Sequence, residues 1–247
     1  MAAAYLLSPP GLTPYDEALA LQRTVSEAVK ERAMPDTVIL LEHEPVITLG
    51  RRTDEATELH LPDDVAVPVV ETNRGGKSTF HGPGQLVCYP ILDLNRHGRD
   101  LKRYVRDLEE AIIQTVAAFG IVGERVEGMT GVWTRGVRGG QTPSGSDPMK
   151  SDPRKLASIG VHASRWVTTH GYALNVDLDP APFTEWITAC GLEDAQFTTM
   201  ALELGHSPSV EDVRPSAARA IADGFGLRFD ELSVDELTAL VGEPVAR

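Results

Sequence analysis

Two cysteines in 247 residues, Cys88 and Cys190, are too few for a disulfide framework, and their spacing suits no standard zinc site. Free thiols in a reducing compartment, with no metal, are the expectation. Long apolar runs are missing too. No stretch reaches the roughly 18 consecutive apolar residues of a membrane span, and the opening MAAAYLLSPP has no basic region ahead of its short apolar patch. Neither a membrane span nor a signal peptide is indicated, so the chain reads as cytoplasmic. Positive charge is scarce: 23 Lys and Arg against 36 Asp and Glu leave a formal net charge of −13. Nonspecific phosphate binding needs a basic surface, which disfavours a nucleic-acid role. The exception is local, where Arg51, Arg52, Arg74 and Lys77 lie close in sequence and would suit an acidic carrier. No internal repeat is present.

The length allows a single domain, 1–247, with a substantial core. Thr13-Pro14-Tyr15-Asp16 reads as a helix start with a hydroxyl cap, and Leu21, Val25, Ala28 and Val29 recur at helical spacing up to about Arg32. TVILL (37–41) and PVITL (45–49) are short β-rich runs joined by a polar link, Glu42-His43-Glu44. Val65 to Thr72 is a further strand, and QLVCYPILDL (85–94) is a buried one in which Pro90 marks a bulge or an edge. Asp100 opens a helix with an apolar stripe from Leu101 to Phe119, and strands return at 121–126 and 131–134. Pro182 to Ala189, Pro215 to Phe225 and a segment capped by Ser233 and Glu236 read as helices. Between Arg135 and Arg154 the sequence is Gly, Pro, Ser and charge, a flexible surface insertion of about 135–154. Strands at the front and centre, with helices between groups, give α+β with a mixed, largely antiparallel sheet and packed helices.

The chemistry concentrates in KLASIGVHASRWVTTHGYALN, Lys155 to Asn175, two strand-like runs around a turn through His162 to Arg165. A lysine at the mouth of an apolar segment loses part of its preference for the charged form and can act as a base near neutral pH. A cysteine within its reach, Cys190, would become a usable nucleophile. Cys88, in the middle of an apolar strand, reads as core packing. Asn73 to Gln85 holds four glycines and a proline, a loop whose backbone can lie close to a ligand. Arg74 and His81 inside it favour binding over a plain turn.

Arg74-Gly75-Gly76, Thr79, His81-Gly82-Pro83-Gly84-Gln85, Lys155, Gly160 and His170-Gly171-Tyr172-Ala173-Leu174-Asn175 together resemble the octanoyltransferase family of lipoate biosynthesis, from about Ala18 to Phe225. The resemblance implies the catalytic-domain fold of biotin and lipoate protein ligases. It also implies transfer of an octanoyl group from octanoyl-acyl carrier protein, through a cysteine thioester, to a lysine of lipoyl domains on 2-oxoacid dehydrogenase E2 subunits and glycine cleavage H protein. By that resemblance Cys190 carries the acyl thioester and Lys155 lowers the thiol pKa. Arg74, Gly75, Gly76, Lys77, Ser78, Thr79, Phe80 and His81, then Ser158, Ile159 and Gly160, then Gly171, Tyr172 and Ala173 match the segments that line the acyl site. No cofactor is implied beyond the phosphopantetheine of the donor.

The chemistry agrees with those roles. A thiol of pKa ~8.5 is only a few per cent thiolate at neutral pH and needs a base. Backbone N–H groups near Gly160 and the side chain of His81 are candidate donors to the tetrahedral oxyanion. The sequence departs from the family at Ala189, where proline is usual, and at His162, a position commonly basic. Rival readings are an ATP-dependent lipoate or biotin ligase on the same fold, and a non-catalytic module that binds acyl carrier or lipoyl domains.

Overall fold

The computed structural model describes residues 1–135, 153–189 and 196–241. Along them run β1 (Ala2–Leu7), β2 (Leu12–Thr13), α1 (Tyr15–Lys30), β3 (Asp36–His43), β4 (Val46–Leu49), α2 (Glu55–Glu58), β5 (Val69–Glu71), β6 (Thr79–His81), β7 (Gln85–Ile91) and α3 (Leu101–Ala117). There follow β8 (Glu124–Val126), β9 (Met129–Thr134), β10 (Arg154–Ser164), β11 (Val167–Asn175), α4 (Pro182–Glu185), β12 (Gln196–Phe197), α5 (Met200–Leu204), α6 (Val210–Phe225), β13 (Leu227–Leu232) and α7 (Val234–Val241).

The large sheet has the order β13-β1-β3-β7-β11-β10-β9-β8, with β2 beside β3 and β12 beside β10. It is antiparallel from β3 through β8 and parallel where β1 meets β3 and β13. Alternation along β3 and β7 explains why both read as nearly unbroken apolar runs. Val38, Leu40, Leu86 and Cys88 pack toward α3 and α6, while Ile39, Leu41, Val87 and Tyr89 pack toward α1 and Leu237 of α7. A strand covered on both faces has no polar side to show. The expected α+β architecture is therefore present, with helices on both faces of a mixed, mainly antiparallel sheet. A small second sheet, β5-β4-β6, packs with α4 around Ile47, Phe80, Phe183 and Phe197. None of the described helices is long and apolar enough to cross a membrane.

Several local expectations shift. Pro14, not a hydroxyl, is the N-cap of α1, and no side chain caps that end because Thr13 belongs to β2. His43 lies inside β3 rather than in a polar link. It is fully buried, with Nδ1 2.9 Å from Thr13 O and Nε2 2.7 Å from the Tyr89 hydroxyl. Pro90 marks neither edge nor bulge: β7 is central, and the β7–β11 register on one side of Pro90 (Cys88 with Tyr172) continues on the other (Asp93 with Val167). The residue facing Pro90 is His170, at φ 58°, whose N–H turns away to Gln22 Oε1 at 2.8 Å. The proline sits where the β7–β11 ladder is interrupted, between the Cys88–Tyr172 and Asp93–Val167 pairs.

The hairpin between β10 and β11 turns at Arg165 and Trp166, both at positive φ (52° and 68°), as a tight two-residue connection requires. The turn is thus later than expected. Within the expected helix at 182–189 the α-helix covers Pro182–Glu185, and Ile187 bridges to Leu59 instead. Helix α6 starts at Val210 behind a Ser209–Asp212 capping box and carries Pro215 within it. Of the expected insertion, residues 136–152 lie outside the described residues. Arg154 at its end is a buried strand residue whose guanidinium bonds both oxygens of Glu203 at 2.9 and 2.7 Å.

Candidate active site

A cavity of 320 Å³ opens between the 73–81 loop, the β10–β11 hairpin and β7, near the low end of the ~300–1,000 Å³ range of ligand pockets. Arg74, Gly75, Gly76, Lys77, Ser78, Thr79, His81, Lys155, Ser158, Ile159, Gly160, Gly171, Tyr172 and Ala173 all line it. Phe80 does not. Side chains alternate along β6, so Thr79 and His81 face the cavity, whereas Phe80 turns into the small-sheet core, edge-on to Phe183 and Trp186 at 6.1 and 5.5 Å. Cys190 lies outside the described residues.

The loop is shaped by a buried arginine. Arg74 gives Nη2 to Thr48 O (2.7 Å) and Thr48 Oγ1 (2.8 Å), and Nη1 to Lys77 O (2.7 Å) and Gly75 O (3.1 Å). Its guanidinium thus closes the loop on itself and on β4. Gly75 N–H donates to Val161 O at 2.9 Å and stitches the loop to β10. Lys77 pairs with Glu58, and Ser78 Oγ reaches Glu58 Oε2 (3.2 Å) and Thr188 O (3.3 Å). Thr188 N–H in turn donates to Glu58 O at 2.9 Å. A buried carboxylate with a cationic partner and hydroxyl donors is satisfied where it sits, so this network fixes the segment ending at Ala189 against the loop.

Lys155 is 3% exposed. Its ammonium lies 5.3 Å from the centre of the Trp133 ring, and its stem passes Gly131, where a Cβ would come within 3.1 Å of Lys155 Cε and 2.5 Å of Ala157 O. Gly131, at φ 124°, is thus required by two conditions at once. On its other side the Lys155 backbone pairs with Phe197, and Lys155 O accepts the Thr198 N–H at 3.0 Å.

A sequence model described as "Lipoyl protein ligase A/B catalytic domain" matches residues 14–222. An octanoyltransferase of Geobacter metallireducens is 43% identical over 221 residues, 90% of this chain and 92% of its own length. An octanoyltransferase of Gloeobacter violaceus is 41% identical over 236 residues, 95% and 96% of the two chains. This chain belongs to the octanoyltransferase family. It is an enzyme of octanoyl transfer, and the reading as an ATP-dependent ligase is not favoured. Solved structures agree on the fold: a bi-partite lipoate protein ligase from Thermoplasma acidophilum superposes with TM-score 0.69 at 13% identity, covering 98% of this chain and 91% of that one. Lipoate-protein ligase A bound with ATP gives 0.68 at 14%, covering 97% and 92%.

The octanoyltransferase cavity also has walls that motif reading missed. Val87, Val105, Met129 and Val161 add apolar surface, and Tyr15 and Tyr89 join His170, already part of the sequence motif, in a polar cluster around His81. Tyr15 stacks on His81 at 6.2 Å, and His43 lies 5.6 Å from the same ring. Burial, then His43 and Arg74, push His81 down to about 3; burial and Arg74 push His170 down to about 3; burial pushes His43 down to about 4. These rings are neutral at physiological pH. Period-two alternation in β7 would have put Val87 and Tyr89 on one face, but Tyr15 was hidden inside a helix-start signal.

One expected role fails. Asn175 Nδ2 donates to Thr198 O, Gln85 Nε2 donates to Asn175 Oδ1, and Gln85 Oε1 therefore faces His81 Nδ1 as an acceptor. The neutral His81 ring has its hydrogen on Nδ1 and none to offer an oxyanion from Nε2. Thr79 Oγ1, buried with no partner among the described residues, is an unspent donor in the same wall.

Proposed function

We propose that the protein, acting as one catalytic domain, moves an octanoyl group from octanoyl-acyl carrier protein to a lysine of a lipoyl domain through a thioester on Cys190, with Lys155 as the base. One observation carries this reading: residues that flank Cys190 in the chain are packed together, and one of them pairs with Lys155. Ala189 is buried in the same apolar cluster as Phe197, and Phe197 is paired in β12 with Lys155. The residues on either side of 190–195 are thus packed in one cluster, and Phe197 lies against the strand that holds the lysine.

In the first half, Lys155 takes the thiol proton, Cys190 Sγ attacks the incoming thioester, and the carrier thiol leaves with a proton returned by the lysine. In the second half, a lysine amine of the acceptor attacks the acyl-enzyme. Thr79 Oγ1 and backbone N–H groups near Gly160 are the donors for the oxyanion of each step. Thioester to amide is downhill, so no ATP and no bound cofactor take part. Arg52 lines the cavity and its neighbour Arg51 is likewise exposed, in an otherwise acidic chain, which suits an acidic carrier as donor. The acceptors in this reading are the lipoyl domains of 2-oxoacid dehydrogenase E2 subunits and glycine cleavage H protein, in the cytoplasm.

Intact-mass analysis after mixing with octanoyl-acyl carrier protein, without nucleotide, tests it. The wild type should gain one octanoyl group that maps to Cys190. Cys190→Ser should lose the adduct and transfer, while Cys88→Ser should keep transfer largely intact, because Cys88 is fully buried in the core and burial raises its thiol pKa. Lys155→Ala should slow acylation at neutral pH, with partial rescue at higher pH where hydroxide ionises the thiol. Equal loss from both cysteine variants, or a dependence on ATP, would refute the scheme.

A further inference from the structure

His81 brings to the cavity a ring nitrogen whose chemical character is set from far behind it. A backbone carbonyl can only accept, so Thr198 O draws Asn175 Nδ2 to 3.0 Å and leaves Asn175 Oδ1 facing Gln85. Gln85 spends its amide hydrogens on that oxygen (2.9 Å) and on Phe80 O (3.4 Å), so its own oxygen meets His81 Nδ1 at 2.7 Å. Every link has one polarity, and the chain ends with the imidazole hydrogen on Nδ1, an assignment that follows from the network. Nε2 is left with a lone pair and makes no hydrogen bond among the described residues. The frame continues to the base, since the same Thr198 donates its N–H to Lys155 O at 3.0 Å. Histidine and lysine line one cavity and hang from one hydrogen-bonded support.

The reacting groups offer little that such a lone pair can bind. A thioester presents a carbonyl oxygen and a sulfur, and the tetrahedral intermediate an oxyanion; all are acceptors. The N–H at the reacting carbon belongs to the acceptor amine.

Resting on the acyl-transfer reading above, we infer that His81 receives the acceptor lysine: Nε2 takes a hydrogen bond from the incoming primary amine and aims its lone pair at the acyl carbon. In that step the C–N bond forms, the C–S bond breaks, and the electron pair leaves on Cys190 Sγ. One amine proton passes through Lys155 to the thiolate. The other stays on the amine nitrogen, hydrogen-bonded to His81 Nε2 throughout, and becomes the amide N–H of the product. Burial, then His43, Arg74 and His170 around the ring, keep His81 a weak base, so it holds the amine without removing its proton. His81 is thus specific to the second half of the reaction.

The test separates the halves, using octanoyl-acyl carrier protein to load the enzyme and a folded lipoyl domain to discharge it. His81→Asn keeps an amide N–H for Gln85 and has no atom where Nε2 was. Loading should proceed at nearly the wild-type rate and discharge should fall about 10- to 100-fold, the effect of one lost hydrogen bond to a group developing charge. His81→Gln, whose amide reaches the Nε2 position, should recover part of the discharge rate. Gln85→Glu keeps the hydrogen on Nδ1 but favours the imidazolium against Tyr15 of α1, His43 of β3, Arg74 of the loop and His170 of β11. Discharge should then fall further on the acid side than in the wild type, beyond the loss that protonation of Lys155 and of the acceptor amine already causes. Nitrogen NMR of labelled histidine should show the hydrogen on Nδ1. An Nε2-bound hydrogen, or a His81→Asn variant that slows both halves alike or neither, overturns the inference. A wild type that never loads overturns the acyl-transfer reading instead.

Discussion

Phe80 and His81 are neighbours on one short strand with opposite environments, and substitution should separate them. Phe80 fills the small-sheet core against Phe183 and Trp186, so Phe80→Ala should cost about 3–5 kcal/mol of stability with the donor KM little changed. Urea titration alongside steady-state kinetics checks this; a raised KM at unchanged stability would return Phe80 to the acyl site. A motif names consecutive residues, while a strand hands alternate ones to opposite faces. Reading Arg74 to His81 as one lining segment could not tell the two sides apart. Arg74 shows a related limit: its charge invites a substrate role, and its donors are taken up by Thr48 and the loop carbonyls.

At the scale of elements, β11 lies closest to its sheet neighbour β7 at Gly171. A Cβ on Gly171 would lie 2.0 Å from Cys88 O and 2.7 Å from Pro90 Cδ, both parts of a central strand with nowhere to go. Gly171→Ala should therefore destabilise by about 1–3 kcal/mol and shift Tyr172 and Ala173, which line the cavity, so that the donor KM also rises. Gly224→Ala makes the contrast: nothing lies within 4 Å of its Cβ near the end of α6, and helix propensity predicts a gain of about 0.5–1 kcal/mol. Comparing the two midpoints in urea decides both. The glycine at 171 was visible in the sequence as part of a pattern; the carbonyl it must pass was not.

For the whole molecule, His43, His81 and His170 form a buried neutral cluster that titrates with folding. Their folded values of about 4, 3 and 3 lie below the ~6.5 of an exposed histidine, so the unfolded chain binds more protons between these limits. Stability is full above about pH 6.5 and falls as the pH is lowered from there. At pH 5 each ring costs on the order of 2 kcal/mol, with less than additive sums because the rings depress one another. Most carboxylates are still ionised at that pH, so urea unfolding at pH 7.5 and 5.0 should show a loss due mainly to the histidines. Equal stability at the two pH values would contradict the neutral cluster.

Periodicity, glycine spacing and turn residues along the chain were enough to read the mixed sheet, the long helix from Leu101, the glycine-rich loop and a lysine, Lys155, leading into an apolar strand, because those signals are local and survive in any unfolded copy of the sequence. Which groups face one another was not local. The span from Lys155 to Phe197, the path from His81 through Gln85 and Asn175 to Thr198, and the burial of His43 between Thr13 and Tyr89 join residues far apart in the chain. Such pairings arise when the sheet order closes, and with them come the protonation states on which the chemistry depends.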